Sequence, residues 1–182
     1  HSYFNWMATT RVTQSLFEQS IRSTIPVDKP DMELIISCFR QIKINKRDVL
    51  IKENTLVHHY YFLEKGLLRL VYHTKDSEET SWVILDGSFF TEIISLKSKQ
   101  PTTMSIEALE PSIVLCIEEA DLNELCEQVR PFEKFLRLTW EENLYRVIQM
   151  KLLQQFSDAK ERYDILMQDK NLMQRIPQKY LA

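Results

Sequence analysis

Between residues 48 and 118 the chain is a succession of seven short runs rich in β-branched and aromatic residues: DVLI, HYYFLE, GLLRLVYH, TSWVIL, SFFTEIISL, MSIEAL and SIVLCIE. Polar turn material (KENT, EKG, TKDSEE, DG, KSKQP, EP) separates them. Strands this short and this closely spaced build a sandwich, barrel or roll. No long helical segment lies between them, which argues against a parallel sheet with crossover helices.

Helical texture brackets this region. From Thr13 to Ile25 the apolar residues Leu16, Phe17, Ile21 and Ile25 recur at helical spacing, and Pro26 and Pro30 end the pattern. Asp31 is expected to cap a second helix through Phe39. After the strands, EEADLNELCEQ reads as a short helix stopped near Pro131, and residues 131–156 then run for seven turns without glycine or internal proline. Pro131 suits a first-turn position, and Glu133–Arg137 and Glu142–Arg146 are favourable i,i+4 pairs. Apolar residues cover most of this helix's wheel, so it is expected to be buried on more than one side. A second subunit is the favoured second neighbour; a helix wedged inside a monomer is the alternative. Ser157 and Asp158 interrupt the helix, and Asp158-x-x-Glu161 resembles a capping box that opens a further one.

Composition bounds the function. The 182 residues suit one domain or one domain with a small appendage. The net charge of −3 offers no overall basic field for nucleic acid. Cys38, Cys116 and Cys126 are odd in number, far apart and form no CxxC pair, so they read as reduced thiols of a cytoplasmic protein rather than metal ligands. His58, His59 and His73 do not have the spacing of a metal-binding β-roll, because adjacent residues of a strand point to opposite faces. With two glycines in all, the chain has nothing from which to build a phosphate-cradling loop. No catalytic motif appears, and an enzyme is not expected. The Tyr60–Tyr61–Phe62 and Phe89–Phe90 clusters are expected in the core. The chain opens at His1 with Met7 a plausible start, and stops at Ala182 inside a helical pattern.

Five stretches carry a resemblance: YYFLEKGLLRLVY (Tyr60–Tyr72), DGSFFTE (Asp86–Glu92), SIEALEPSIVLCI (Ser105–Ile117), AKERYDIL (Ala159–Leu166) and RIPQKYLA (Arg175–Ala182). In this order and spacing, from about Asp31 to Ala182, the chain resembles the Crp/Fnr group of bacterial transcription regulators. The resemblance implies an α+β fold: a double-stranded β-roll of the cyclic-nucleotide-binding type, a jelly roll with flanking helices, then a long dimerisation helix and the start of a winged helix domain. Residues 1–30 would form an N-terminal segment and helix, 31–130 the sensor roll, 131–156 the dimerisation helix, and 157–182 the beginning of a helix-turn-helix DNA-binding domain. The recognition helix is expected beyond Ala182. The partners implied are a second copy, promoter DNA through the C-terminal domain and a possible small-molecule effector, with no membrane. Leu136, Trp140, Leu144, Val147 and Met150 would line the dimer helix.

By the same resemblance, residues 91–108 match the phosphate cassette of nucleotide-binding relatives. There a Gly-Glu pair opens the cassette, the Glu accepts a ribose hydroxyl, and an Arg followed by Ser or Thr clamps the phosphate. Here Glu92 matches the acid and Thr103 the hydroxyl, but Thr91 replaces the glycine and Thr102 the arginine. Val147 and Ile148 fall where relatives carry a polar pair that contacts the base. A buried phosphate requires compensating charge, which Arg supplies as a charge-assisted fork and threonine does not. Binding of cyclic AMP in the usual way is therefore not expected, no other cofactor is implied, and a different effector or none remains. Glu92 has a simpler reading as a helix cap or as a partner of Lys97 or Lys99. Turn positions where relatives use glycine hold Arg47, Asn54 and Ser77; Asn is the next most tolerant of positive φ, while the turns at Arg47 and Ser77 are expected to differ.

Overall fold

The computed structural model describes residues 15–156, 158, 160 and 161. The elements are helices α1 (Leu16–Thr24) and α2 (Lys29–Cys38), strands β1 (Arg40–Ile44), β2 (Val49–Ile51), β3 (His59–Lys65), β4 (Leu67–His73), β5 (Glu78–Leu85) and β6 (Phe89–Phe90), helix α3 (Ile93–Ser98), strands β7 (Met104–Ala108) and β8 (Ser112–Glu118), and helices α4 (Glu119–Gln128) and α5 (Arg130–Phe156). The strands form two four-stranded antiparallel sheets, ordered β1-β8-β3-β6 and β2-β7-β4-β5.

Alternation along β3 decides what each sheet face meets. Tyr60 and Phe62 point to the helices: Phe62 lies 4.8 Å from Phe17 of α1, and Tyr60 lies 6.0 Å from Trp140 of α5. Tyr61, on the other face, stacks on Phe90 at 5.4 Å. Phe17, Phe62, Phe89 and Phe132 are essentially fully buried, so the aromatic clusters are core, as expected.

Two helix boundaries differ from the expectation. Asp28, not Asp31, caps α2 by accepting the Asp31 amide at 2.9 Å, and Pro30 sits inside the first turn. Proline lacks an N–H that the first turn leaves unpaired in any case, so it does not act as a breaker there. Helix α1 starts at Leu16, where the Glu64 carboxylate of β3 accepts the amides of Leu16 and Phe17. The larger difference is residues 93–98. They read as the end of a strand in the sequence, yet strand β6 stops at Phe90 and α3 follows.

The turns show how a chain with two glycines closes this fold. Gly66 has φ +119°, and an added Cβ would lie 2.1 Å from the Ser112 hydroxyl oxygen. Arg47 (φ 76°), Asn54 (φ 64°) and Lys99 (φ 57°) adopt the left-handed region without being glycine. Asn54 is left-handed as expected, whereas Arg47, where a different turn was expected, is left-handed too. At Ser77 the turn does differ: its φ is not positive, and the Thr74 hydroxyl accepts the Ser77 amide at 3.0 Å.

Helix α5 has two regimes. Its first turns bury Phe132, Phe135 and Leu136 in the core, whereas Leu144, Tyr145, Val147, Ile148 and Leu152 are each about half exposed. The expected pair Glu133–Arg137 is replaced by Arg137–Glu141 at 2.7 Å, while Arg146–Glu142 forms as expected. Asp158 accepts the Glu161 amide at 2.7 Å, half of the anticipated capping box. The expected DNA-binding segment otherwise lies outside the described residues. Among those residues no helix is long and apolar enough to cross a membrane.

Candidate cassette site

The segment from Thr91 to Thr103 is held by hydrogen bonds that it makes to itself and to the loop before β3. Glu92 is 4% exposed and caps α3, its two carboxylate oxygens accepting the amides of Ile94 at 2.9 Å and Ser95 at 3.0 Å. A carboxylate there satisfies donors that a helix start leaves open and faces the positive end of the peptide dipoles. Ser95 is buried; its hydroxyl donates to the Gln100 carbonyl at 2.6 Å and accepts the Val57 amide at 3.1 Å. Lys99 ends the helix in left-handed conformation, its amide donating to the Ser95 carbonyl.

The threonines are similarly engaged. The Thr91 hydroxyl donates to the His59 carbonyl at 2.8 Å. Thr102 is 2% exposed, its backbone is paired with Asn54 and Thr55, and its hydroxyl accepts the Met104 amide at 3.0 Å. Thr103 is exposed, as are Val147 and Ile148 on α5. Of the six residues matched to a ligand role, Thr91, Glu92 and Thr102 thus already have hydrogen-bond partners within the chain.

The charges nearby are engaged too. Lys97 and Lys99 both bind Glu119 at the start of α4, at 3.0 and 2.7 Å, so the alternative pairing with Glu92 does not form. The other reading of Glu92, a helix cap, is the one that forms, both carboxylate oxygens being taken up by the amides of Ile94 and Ser95. Hydrogen bonds from Lys99 and then Lys97 hold the Glu119 carboxyl below its ordinary range, and the bond to Glu119 raises Lys97. Burial lowers the His59 imidazole, opposed by Glu118 3.7 Å away, and pushes the Tyr61 phenol up to about 12.

One cation escaped the sequence reading. Arg69 of β4 is buried between the carboxylates of Glu107 and Glu78, with the Thr80 hydroxyl at 3.2 Å. It cannot stand in for the missing cassette arginine. It alternates with Leu68 and Leu70, which face the core, so it points to the opposite side of its sheet. Its signal in the sequence was a lone arginine inside the apolar run GLLRLVY.

Two recesses exist near these elements. One of about 220 Å³ lies between β2, the following loop and Tyr61. It is below the range of roughly 300–1,000 Å³ usual for small-molecule sites. The other, of about 310 Å³, lies between α1, the Asp86–Ser88 turn and α5, and no cassette residue lines it. Among the described residues no group of three or more His, Cys, Asp or Glu side chains is placed to hold a metal ion.

Two antiparallel sheets with a short helix inserted between β6 and β7 give a specific architecture, and residues 41–129 match the family model described as a cyclic nucleotide-binding domain. The fold is the cyclic-nucleotide-binding β-roll. Solved structures with this roll include a CooA mutant from Carboxydothermus hydrogenoformans (TM-score 0.61, 16% identity, covering 89% of this chain and 99% of that one). The Thermus thermophilus catabolite activator protein is similar at TM-score 0.57 and 20% identity, over 75% of this chain and 64% of that one. The c-di-GMP responsive global regulator CLP of Xanthomonas campestris matches at 0.63 and 12%, over 78% and 72%. Likeness at such identities speaks to the β-roll and not to its ligand. No curated protein sequence matches the chain at a significant level.

Proposed function

We propose that the chain is the effector-sensing and dimerisation portion of a Crp/Fnr-like transcription regulator, a cytoplasmic, non-enzymatic homodimer that reaches promoter DNA through a domain following α5. The division is that of the sequence reading: roll over 31–130, dimer helix over 131–156, and a DNA-binding domain beginning at 157. The observation that carries this reading is the second half of α5, where Leu144, Tyr145, Val147, Ile148 and Leu152 leave the roll half exposed. Contiguous apolar surface of this kind marks an interaction site. Leu136 and Trp140, expected at the seam, pack instead on the chain's own core, so the proposed seam lies farther along the helix. The side chain of Met150 lies outside the described residues.

In this reading the roll does not take cyclic AMP in the usual way. Glu92 is turned onto its own helix, Thr102 onto Met104, and no arginine stands at position 102. Losing one partner of a buried charge pair costs on the order of 2–5 kcal/mol, enough to remove binding at ordinary concentrations. Regulation would then act on how the two α5 helices pack, and so on the DNA-binding heads beyond the Ser157–Asp158 joint.

A thermal-melt titration with cyclic AMP and cyclic GMP to millimolar concentration tests the ligand part. A ligand at about 100 times its dissociation constant adds roughly 2.7 kcal/mol; no shift is expected, and a clear one overturns the cassette argument. A gel-shift with the complete gene product tests the regulator part. The rival reading, a regulatory module of the same fold without a DNA role, is supported if that product never binds DNA selectively.

A further inference from the structure

The recess of about 310 Å³ between α1, the Asp86–Ser88 turn and α5 reaches the lower end of the range usual for small-molecule sites. What it offers a ligand depends on where its hydrogens already go. Four of the hydroxyls that line it each donate to a carbonyl of their own helix: Ser20 to Leu16 at 2.8 Å, Ser23 to Ser20 at 3.0 Å, Thr24 to Ser20 at 2.7 Å and Thr139 to Phe135 at 2.8 Å. A hydroxyl has one hydrogen and two lone pairs, so each of the four has only the capacity to accept left. The turn amides are spent as well, Gly87 donating to the Leu63 carbonyl at 2.8 Å and Ser88 to the Leu85 carbonyl at 3.1 Å.

Charge has the same sense. Carboxylates stand on two walls, Asp86 on the turn and Glu142 on α5, against one cation, Arg146, which Glu142 holds at 3.0 Å. Ser23 and Thr24 belong to the last turn of α1, where the peptide dipoles present their negative end and favour a cation. Arg22 of that turn is paired with Glu18 at 3.0 Å rather than with a group of the recess. Phe135 and Leu138 supply an apolar strip of wall.

We propose that this recess binds a short aliphatic diamine. An ammonium group carries three donors and no acceptor, the complement of a wall whose hydroxyls can only accept. One ammonium would meet Asp86 and the other Glu142, with the methylenes along Phe135 and Leu138. A bare cation would leave most of the volume unfilled, and an anion would face two carboxylates and a row of lone pairs. Two walls belong to the roll side and the third to α5, so an occupant fastens the long helix to the roll beside the hydrogen bond from Asn143 to the Phe89 carbonyl. That consequence rests on the regulator reading above, in which the diamine is an effector acting outside the cassette; binding itself does not depend on that reading.

The test is isothermal titration of the full chain with diaminobutane at neutral pH and low salt, with butanediol and succinate as neutral and anionic probes of the same length. Only the diamine is expected to bind. Glu142→Gln is expected to weaken it about tenfold or more, since a charged hydrogen bond is lost. Arg146→Gln should tighten it by releasing Glu142, and Glu127→Gln, on α4 away from the recess, should leave it unchanged. All three positions are exposed, so each variant keeps its fold. Succinate binding that Arg146→Gln abolishes would give the site the opposite sign and overturn the proposal. Diamine binding that Glu142→Gln and Glu127→Gln reduce alike is attraction to the acidic surface at large, which overturns it too, as does the absence of heat with the diamine at millimolar concentration. The titration reads the chain itself, so a positive result supports the site whether or not the complete gene product binds DNA.

Discussion

Asn143 of α5 donates a side-chain hydrogen bond of 2.7 Å to the backbone carbonyl of Phe89, across 54 residues of sequence. It joins the long helix to the strand that opens the cassette, next to the edge-on contact of Phe89 with Trp140. Asn143→Ala removes one hydrogen bond at a half-buried site and leaves the Phe89 carbonyl without that donor. A loss of about 1 kcal/mol follows, read as a Tm lower by about 2–4 °C for a chain of this size.

Gly66→Ala is expected to be far more damaging than its size suggests. The new methyl would meet the Ser112 side chain and backbone at under 3 Å, at a φ of +119° that side chains rarely adopt. The strain alone is about 1–3 kcal/mol; urea unfolding midpoints of variant and parent give the comparison.

Arg47→Gly should move stability the other way. Arg47 sits at φ 76° in a turn closed by the Asp48 carboxylate on the Asn45 amide at 2.7 Å, and its own amide bonds the Ala108 carbonyl at 2.8 Å. Glycine keeps that backbone bond and removes a left-handed penalty of about 1–2 kcal/mol, less its greater freedom when unfolded. A net gain of about 0.5–1 kcal/mol is expected by denaturant titration, with a smaller gain for Asn54→Gly.

Glu92→Ala tests the cap. It removes two charge-assisted acceptors from the start of α3, and a loss of about 0.5–2 kcal/mol is the usual result of deleting a cap. A variant as stable as the parent would show that the carboxylate does not hold the loop.

His59 gives the chain an acid-side dependence. Burial holds its folded pKa below the ordinary 6.5, so the unfolded chain binds this proton more readily than the folded one. Its contribution is fully present above pH 6.5 and declines as pH falls from there toward the folded value. Stability measured at pH 7.5 and 5.5 should therefore drop for the parent more than for His59→Gln.

Much of the architecture is legible in the sequence because strand pattern and turn chemistry agree there. Runs such as HYYFLE and SIVLCIE alternate correctly for sheets buried on one or both faces, and Asn54 marks a left-handed turn; the left-handed Arg47 was not anticipated. What escaped was decided by tertiary contacts. Ile93 and Ile94 favour strand, but Glu92 supplies a cap and Ser95 ties the next turn to Val57, so the segment coils. Pro30 read as a breaker because the cap three residues before Asp31 was not recognised. In the cassette the missing glycine and arginine were visible at Thr91 and Thr102. The partners that replaced them, His59 and Met104 backbone groups, were not, since nothing local fixes where those groups lie.

The Glu92 cap has a consequence for anything that would bind at the start of α3. Its carboxylate is joined to the amides it satisfies by two or three residues of chain, so it is present there at an effective concentration of about millimolar or above. An incoming anion does not find an open site; it competes with a tethered one that cannot be diluted or depleted. Only a ligand with contacts well beyond those two amides could win that competition at cellular concentrations.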